Sequence, residues 1–313
     1  ILILDPENEY TALTEQLHGQ TIYLAPDSQS YLNPMDLDLS TDVGESPMLM
    51  QADFLLSQCE LMMASYGNPL MPIEKSLIDR CISLVYRDYL KNPRPENMPI
   101  LGDLYQCLRE QHNSRADDLA TAMEIYVTGS LSYLNHRTNV DLNNRMVCYN
   151  ISKLGQGLKK LVMSNVQKHI WQRTAVNRYA GITTRIFLDE FHLLLKEPQT
   201  AAYTAEIYKR FRKWNGIPTS LTQNVKDLLD SSEIENILEN SDFVLMLNQG
   251  ASDRNILAQR LGISPQELSH VTNSSEGEGL LFFGDKIIPF EDKFPRDTQL
   301  YRVMTTKPSD LAA

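Results

Sequence analysis

Ile1-Leu2-Ile3-Leu4-Asp5-Pro6 begins with four apolar residues in a row, and Thr21–Ala25 is a second short apolar run. A continuous apolar run bounded by turn residues fits a strand buried on both faces. Between the two runs lies a polar, helix-compatible segment. Asp5-Pro6 reads as its cap and first turn, with Glu7 and Glu9 where a helix N-terminus favours acids, and Gly19 as its stop. Strand, helix, strand implies a parallel sheet with right-handed crossovers. The spacing predicts a helix from Asp5 to about Leu17.

Outward from that unit the rhythm changes. Helical periodicity predicts Met48–Ser65, Ile73–Leu90, Ile100–Gln111 and Arg115–Val127, with Ser114 as a cap and Pro93, Pro95 and Pro99 marking a loop. The methionines Met48, Met50, Met62 and Met63 suit either adaptable core packing or a binding groove. The α/β rhythm returns with a strand at Arg145–Ile151 and a helix over Ser152–Tyr179. A strand at Arg185–Leu188, a helix at Thr200–Trp214 ended by Gly216, and a strand at Ile217–Thr222 follow. Phe243–Leu247 is predicted as a further strand, then helices Ala251–Leu261 and Ser264–His270, and a hairpin over Leu280–Phe290 turning at Gly284-Asp285. Pro289 places the second hairpin strand at an edge. The expected organisation is an α/β core of residues 1–40 and 141–304, a helical insertion at 41–140, and a loose tail at 305–313.

Composition narrows the function. With 42% hydrophobic and 22% charged residues the chain is ordinary globular material, and its net charge of -11 excludes a protein that coats nucleic acid non-specifically. That charge hides an uneven distribution. Leu142–Leu188 holds no Asp or Glu but eight bases: Arg145, Lys153, Lys159, Lys160, Lys168, Arg173, Arg178 and Arg185. They form either a contact face for DNA, an acidic partner or another subunit, or a basic helix docked on its own acidic neighbours. Cys59, Cys81, Cys107 and Cys148 form no CxxC pair and read as reduced core thiols. No apolar stretch approaches the roughly 18 residues that span a bilayer.

Ile186-Phe187-Leu188-Asp189-Glu190 is the sharpest chemical signal. A buried strand ending in Asp-Glu delivers carboxylates to the ligand crevice of an open α/β sheet, the Walker B arrangement of P-loop ATPases. Asp189 is the candidate Mg²⁺ ligand, largely through water, and Glu190 the general base. Gln223, after the strand at Ile217–Thr222, is placed to orient water or touch a γ-phosphate. The run Lys209-Arg210-Phe211-Arg212-Lys213 suits either a solvated helix face or an arginine finger offered to a neighbouring subunit, with Arg212 preferred and Lys213 and Arg210 behind it. A phosphate-binding loop GxxxxGK[ST] should accompany these, yet none of the 14 glycines is followed by Lys. Gly155-Gln156-Gly157 lacks the required ending. The chain therefore reads as a piece of a longer protein with that loop upstream, and it is expected to be inactive in hydrolysis alone.

In order along the chain, Ile3-Leu4-Asp5-Pro6-Glu7-Asn8-Glu9-Tyr10, Tyr31-Leu32-Asn33-Pro34-Met35-Asp36, Thr138–Arg145, Leu188-Asp189-Glu190-Phe191, Arg212-Lys213-Trp214-Asn215-Gly216, Leu221-Thr222-Gln223-Asn224 and Gly284–Phe290 resemble the conjugal-transfer ATPases of type IV secretion systems, the VirB-four class. These belong to the same broad clan as HerA and FtsK. The resemblance spans nearly the whole chain. It implies a RecA-like P-loop NTPase sheet with an inserted all-helical subdomain, ATP and Mg²⁺ as cofactors, and a hexamer at the inner face of the cell membrane. Other secretion components, a coupling protein and DNA are the implied partners. The resemblance carries Walker B to Asp189 and Glu190, the trans-acting base to Arg212 or Lys213 and the sensor to Gln223. It adds Asp5, Glu9 and Asn248 on the nucleotide side, Asn248 as the polar tip of the next strand. His192 departs from the family pattern, where Trp or an acid is expected. Two rivals fit some of the same residues: a non-catalytic interaction module derived from such an ATPase, and a Mg²⁺ nuclease built on Asp5, Glu7, Asp189 and Glu190.

Overall fold

The computed structural model describes residues 1–39, 46–63, 69–223, 233–272 and 274–306. The chain divides into two compact units, one of residues 1–189 with 211–220, the other of residues 190–210 with 221–313.

The first unit is built on a five-stranded parallel sheet: β1 (Leu2–Asp5), β2 (Gln20–Tyr23), β3 (Val147–Asn150), β4 (Thr184–Leu188) and β5 (Gly216–Ser220), in the order β2-β3-β1-β4-β5. β1 and β3 are buried at every position, as their apolar runs require. β5 is an edge strand of this sheet among the described residues, which suits Pro218, a residue with no N–H to give a ladder. Helix α1 (Thr11–Gln16) joins β1 to β2. It starts six residues later than the sequence predicts. The Asp5 carboxylate takes the backbone N–H groups of Glu9 at 3.0 Å and Tyr10 at 3.1 Å, and Asn8 turns left-handed at φ 64°. Asp5 thus organises a loop instead of capping a helix.

Helices α2 (Pro47–Met63), α3 (Pro72–Val85), α4 (Arg87–Lys91), α5 (Leu101–Arg109) and α6 (Ser114–Val127) occupy the predicted helical region. Asn113, not Ser114, caps α6, because its side chain accepts from the N–H groups of Arg115 and Ala116. Met62 and Met63 are buried, so this half of the methionine group is core packing. The entry and exit of the helical region are bonded together: Asn33 N–H donates to Thr138 Oγ1 at 2.8 Å and Tyr31 N–H to Asn139 Oδ1 at 2.8 Å. Asn33, fully buried, also donates from Nδ2 to Pro99 O.

Helix α7 (Gln156–Tyr179) fastens this region to the sheet. Asn165 donates to Leu32 O, and Gln58 of α2 donates to Leu161 O. Lys168 is buried, lies over the Phe54 ring, and donates to Pro34 O at 2.9 Å and Asp36 O at 2.6 Å. The carboxylate-free stretch is therefore not one basic face. Lys168 is core, Lys153 and Lys159 reach Asp27 and Glu7, and Arg178 lies over Trp214. Arg145, Arg173 and Arg185 line a cavity of about 690 Å³ at the N-terminal ends of β1, β3 and β4.

Helix α8 (Pro198–Phe211) passes into a 3-10 turn at Arg212–Trp214. Asn215 then reverses the chain at φ 56°, and Gly216 is already the first residue of β5. A side chain at Gly216 would meet Phe211 and Thr174, so the glycine permits close packing instead of ending the helix.

In the second unit, β6 (Phe243–Met246), β7 (Glu278–Phe283) and β8 (Lys286–Glu291) form an antiparallel sheet in that order. The hairpin turns at Gly284, φ 59°, and β8 with Pro289 is an edge. The strand predicted at Phe243–Leu247 is β6, and its hydrogen-bonded neighbour is β7, paired Phe243 to Phe283 and Met246 to Leu280, so it belongs to the antiparallel sheet. Gly279 makes that pairing possible, since a Cβ there would sit 2.2 Å from Met246 O. Met246, Leu257, Ile263, Val271 and Leu280 form its core. Asn224 and the tail beyond residue 306 lie outside the described residues.

Candidate functional site

All five strands of the parallel sheet point the same way, so their C-terminal tips share one edge, where open α/β sheets bind ligands. In the first unit β1 ends in Asp5, β3 in Asn150, and β4 is followed by Asp189. Asp189 is 8% exposed, and its N–H extends the β4–β1 ladder to Leu4 O at 3.2 Å. The Tyr10 phenol is pushed well above its ordinary range, by burial first and then by the charges of Asp189, Glu9 and Asp5. Burial, then the Asp5 charge, likewise raises the Cys148 thiol, 3.7 Å from Asp5 Oδ2. This tip is thus a carboxylate pocket beside which the Tyr10 phenol and the Cys148 thiol are kept protonated. Asn150, absent from the sequence-derived set, donates to Asn8 Oδ1 and Thr11 Oγ1. The signal for it was present, as the first polar residue after an apolar strand.

Of the residues predicted to touch nucleotide, Asp5 is fully buried with both oxygens engaged by its own loop. Glu9 is exposed beside it, and its backbone N–H is one of those partners. Asn248 is exposed just after β6, so it tips the antiparallel sheet and not the parallel one. Arg212 and Lys213 are exposed in the turn before β5, at the opposite end of the parallel strands from Asp189. Their own strand tips are out of their reach. Arg210 and Lys209 pair with Glu206 on α8.

In the second unit Glu190 takes a left-handed backbone, φ 43° and ψ 45°, which costs a non-glycine residue about 1–2 kcal/mol. Phe191 N–H donates to Leu221 O at 2.9 Å. His192 Nδ1 lies 3.1 Å from Glu190 Oε2 and 3.2 Å from Thr222 Oγ1. Gln223 follows as an exposed residue. β5 stops at Ser220, so Gln223 stands beyond the strand end and does not close it. Sequence reasoning gave His192 only as a departure from the family pattern and Thr222 only as a strand end, and it missed their pairing.

Among the described residues no group of three or more His, Cys, Asp or Glu could hold a metal ion. The cluster needed by a Mg²⁺ nuclease is therefore not assembled. A carboxylate at a strand tip, as Asp189 is, does fit a Mg²⁺ that keeps its waters and takes other oxygens from phosphates.

A parallel sheet joined by crossover helices, with Asp5 ending β1 and Asp189 following β4, is an arrangement that P-loop NTPase folds share. Matching confirms it: VirB4 of Thermoanaerobacter pseudethanolicus superposes with a TM-score of 0.80 at 22% identity, over 99% of this chain and 82% of that one. The plasmid coupling protein TrwB, solved with the non-hydrolysable GTP analogue GDPNP and with ADP and Mg²⁺, superposes at 0.55 with 13% identity, over 96% and 87%. No curated protein matches the chain. The family model of the TraG P-loop domain matches residues 101–277, more than half of the chain, which therefore belongs to that family. The resemblance to conjugal-transfer ATPases is borne out.

Proposed function

We propose that this chain is the ATPase domain of a conjugation or type IV secretion motor, and that Asp189 and Glu190 carry its chemistry. The observation behind this reading is the strand β4, buried between β1 and β5, which delivers this acidic pair to the C-terminal edge of the sheet. Asp189 holds Mg²⁺, which supplies charge neutralisation for the phosphates. Glu190 accepts the proton of the attacking water, and Gln223 orients that water or reads the γ-phosphate. No glycine of this sequence is followed by lysine, so none of these residues is assigned to a phosphate-binding loop. Arg212 or Lys213 acts in trans. Their exposure, and their place at the far end of β5, support a role towards a neighbouring subunit. The bonded entry and exit of residues 31–36 and 138–139 support the helical region as an insertion. Asp5 and Glu9 shape the nucleotide-side loop. The parent assembles as a hexamer at the inner face of the membrane, with secretion components, a coupling protein and DNA as its partners. No helix of the described residues is long and apolar enough to cross a membrane, so attachment through those partners is part of the proposal.

In the full-length protein, Glu190→Gln should lower kcat at least a hundredfold while ATP binding, read by a fluorescent analogue, stays within threefold. Unchanged turnover would remove Glu190 from the base role.

A further inference from the structure

We infer that His192 is a positioning residue that holds the Glu190 carboxylate and ties it to the segment carrying Gln223. This rests on the reading of Glu190 as the base. Three facts in one compact unit support it. Glu190 Oε2 faces His192 Nδ1 at 3.1 Å, with both side chains mostly buried, at 18% and 12% exposure. The same nitrogen is 3.2 Å from Thr222 Oγ1, immediately before Gln223. The backbone repeats the link one residue earlier, from Phe191 N–H to Leu221 O.

A carboxylate can only accept, so the nitrogen that faces it carries the proton. With that tautomer the Nδ1–H has two acceptors within reach, Glu190 Oε2 at 3.1 Å and Thr222 Oγ1 at 3.2 Å. A base with a carboxylate fixed in one rotamer is oriented before the substrate arrives, which is how supporting contacts raise kcat without changing affinity. The left-handed Glu190 backbone adds to this, because it sets the side chain's direction at a cost that the surrounding contacts offset. Movement at Gln223 on sensing the γ-phosphate would travel through Thr222 and His192 to the base. The link also has a chemical limit: phenylalanine or leucine at 192 could fill the space but could not donate.

The test has two arms. In the full-length protein, His192→Ala should lower kcat about tenfold and leave the KM for ATP within twofold, and His192→Asn, which retains an N–H donor at a similar reach, should recover most of the loss. In the 313-residue chain, a thermal-unfolding cycle of His192→Ala, Glu190→Ala and the double variant reads the contact without any turnover. The double variant should lower Tm by less than the sum of the single shifts. Additive shifts would overturn the contact, and a KM effect without a kcat effect, or no recovery by Asn, would overturn the positioning role. Non-additive shifts together with full turnover by Glu190→Gln would instead overturn the base reading, leaving the pair as a structural contact only.

Discussion

Replacing Asp5 separates what this residue does for the fold from what the resemblance assigns it. Asp5 is fully buried and accepts two backbone N–H groups, at 3.0 and 3.1 Å, from a loop whose Asn8 is left-handed. Hydrogen bonds to an ionised group are each worth about 1.5–3 kcal/mol. Asp5→Asn keeps one acceptor oxygen but sets an NH₂ against the second N–H, so one bond is lost and two donors face each other. The expected loss is about 2–4 kcal/mol, and about 3–5 kcal/mol for Asp5→Ala, which strands both donors. Against a typical domain stability of about 5–15 kcal/mol this is a large share. Urea unfolding of the 313-residue chain at pH 7, followed by circular dichroism, measures it as a lower midpoint with an unchanged slope. A loss under about 1 kcal/mol would refute the reasoning, because the carboxylate would then be available to a ligand instead of committed to the loop.

Lys168→Met should destabilise the chain by about 2 kcal/mol, since it strands the carbonyls of Pro34 and Asp36 while removing the cost of burying an ammonium. A urea midpoint at or above that of the parent would contradict this. His169 is buried, and burial first, then the Lys168 charge, lowers its pKa from 6.5 to about 3. Its neutral form is the one that the fold accepts. The contribution of His169 is thus flat above about pH 6.5 and becomes destabilising as pH falls from there towards 3, by about 2 kcal/mol at pH 5. His169→Gln should flatten that part of the pH–stability curve, and a curve of the same shape would rule out His169 as its source.

Much of the parallel sheet was legible in the sequence because β1 and β3 are buried at every position and β4 carries Ile186, Phe187 and Leu188 up to its acidic tip. The helical region was legible for a similar reason, its periodicity being long and regular. The misreadings are local and share a cause. Asp5-Pro6 has the composition of a helix start, yet the carboxylate bonds four and five residues ahead, a pattern that residue types do not reveal. Ser114 and Asn113 are both good caps, and only geometry chooses between them. β6 is apolar like the core strands, but its partner is decided by Gly279, 36 residues beyond its first residue, and no local signal carries that. At the site, the acidic pair was visible because strand tips announce themselves. His192 was not, since its meaning depends on Thr222, which lies 30 residues away in sequence.

Among the described residues β5 has a hydrogen-bonded neighbour on one side only. Its other side is a row of backbone donors and acceptors, with Ile217 41% exposed, on which another extended chain can pair in register. Pro218 blunts it by withholding one donor, and the charged turn at Arg212 and Lys213 guards its start. An extended chain that added to the parallel sheet at this edge would meet the proline and the two bases first.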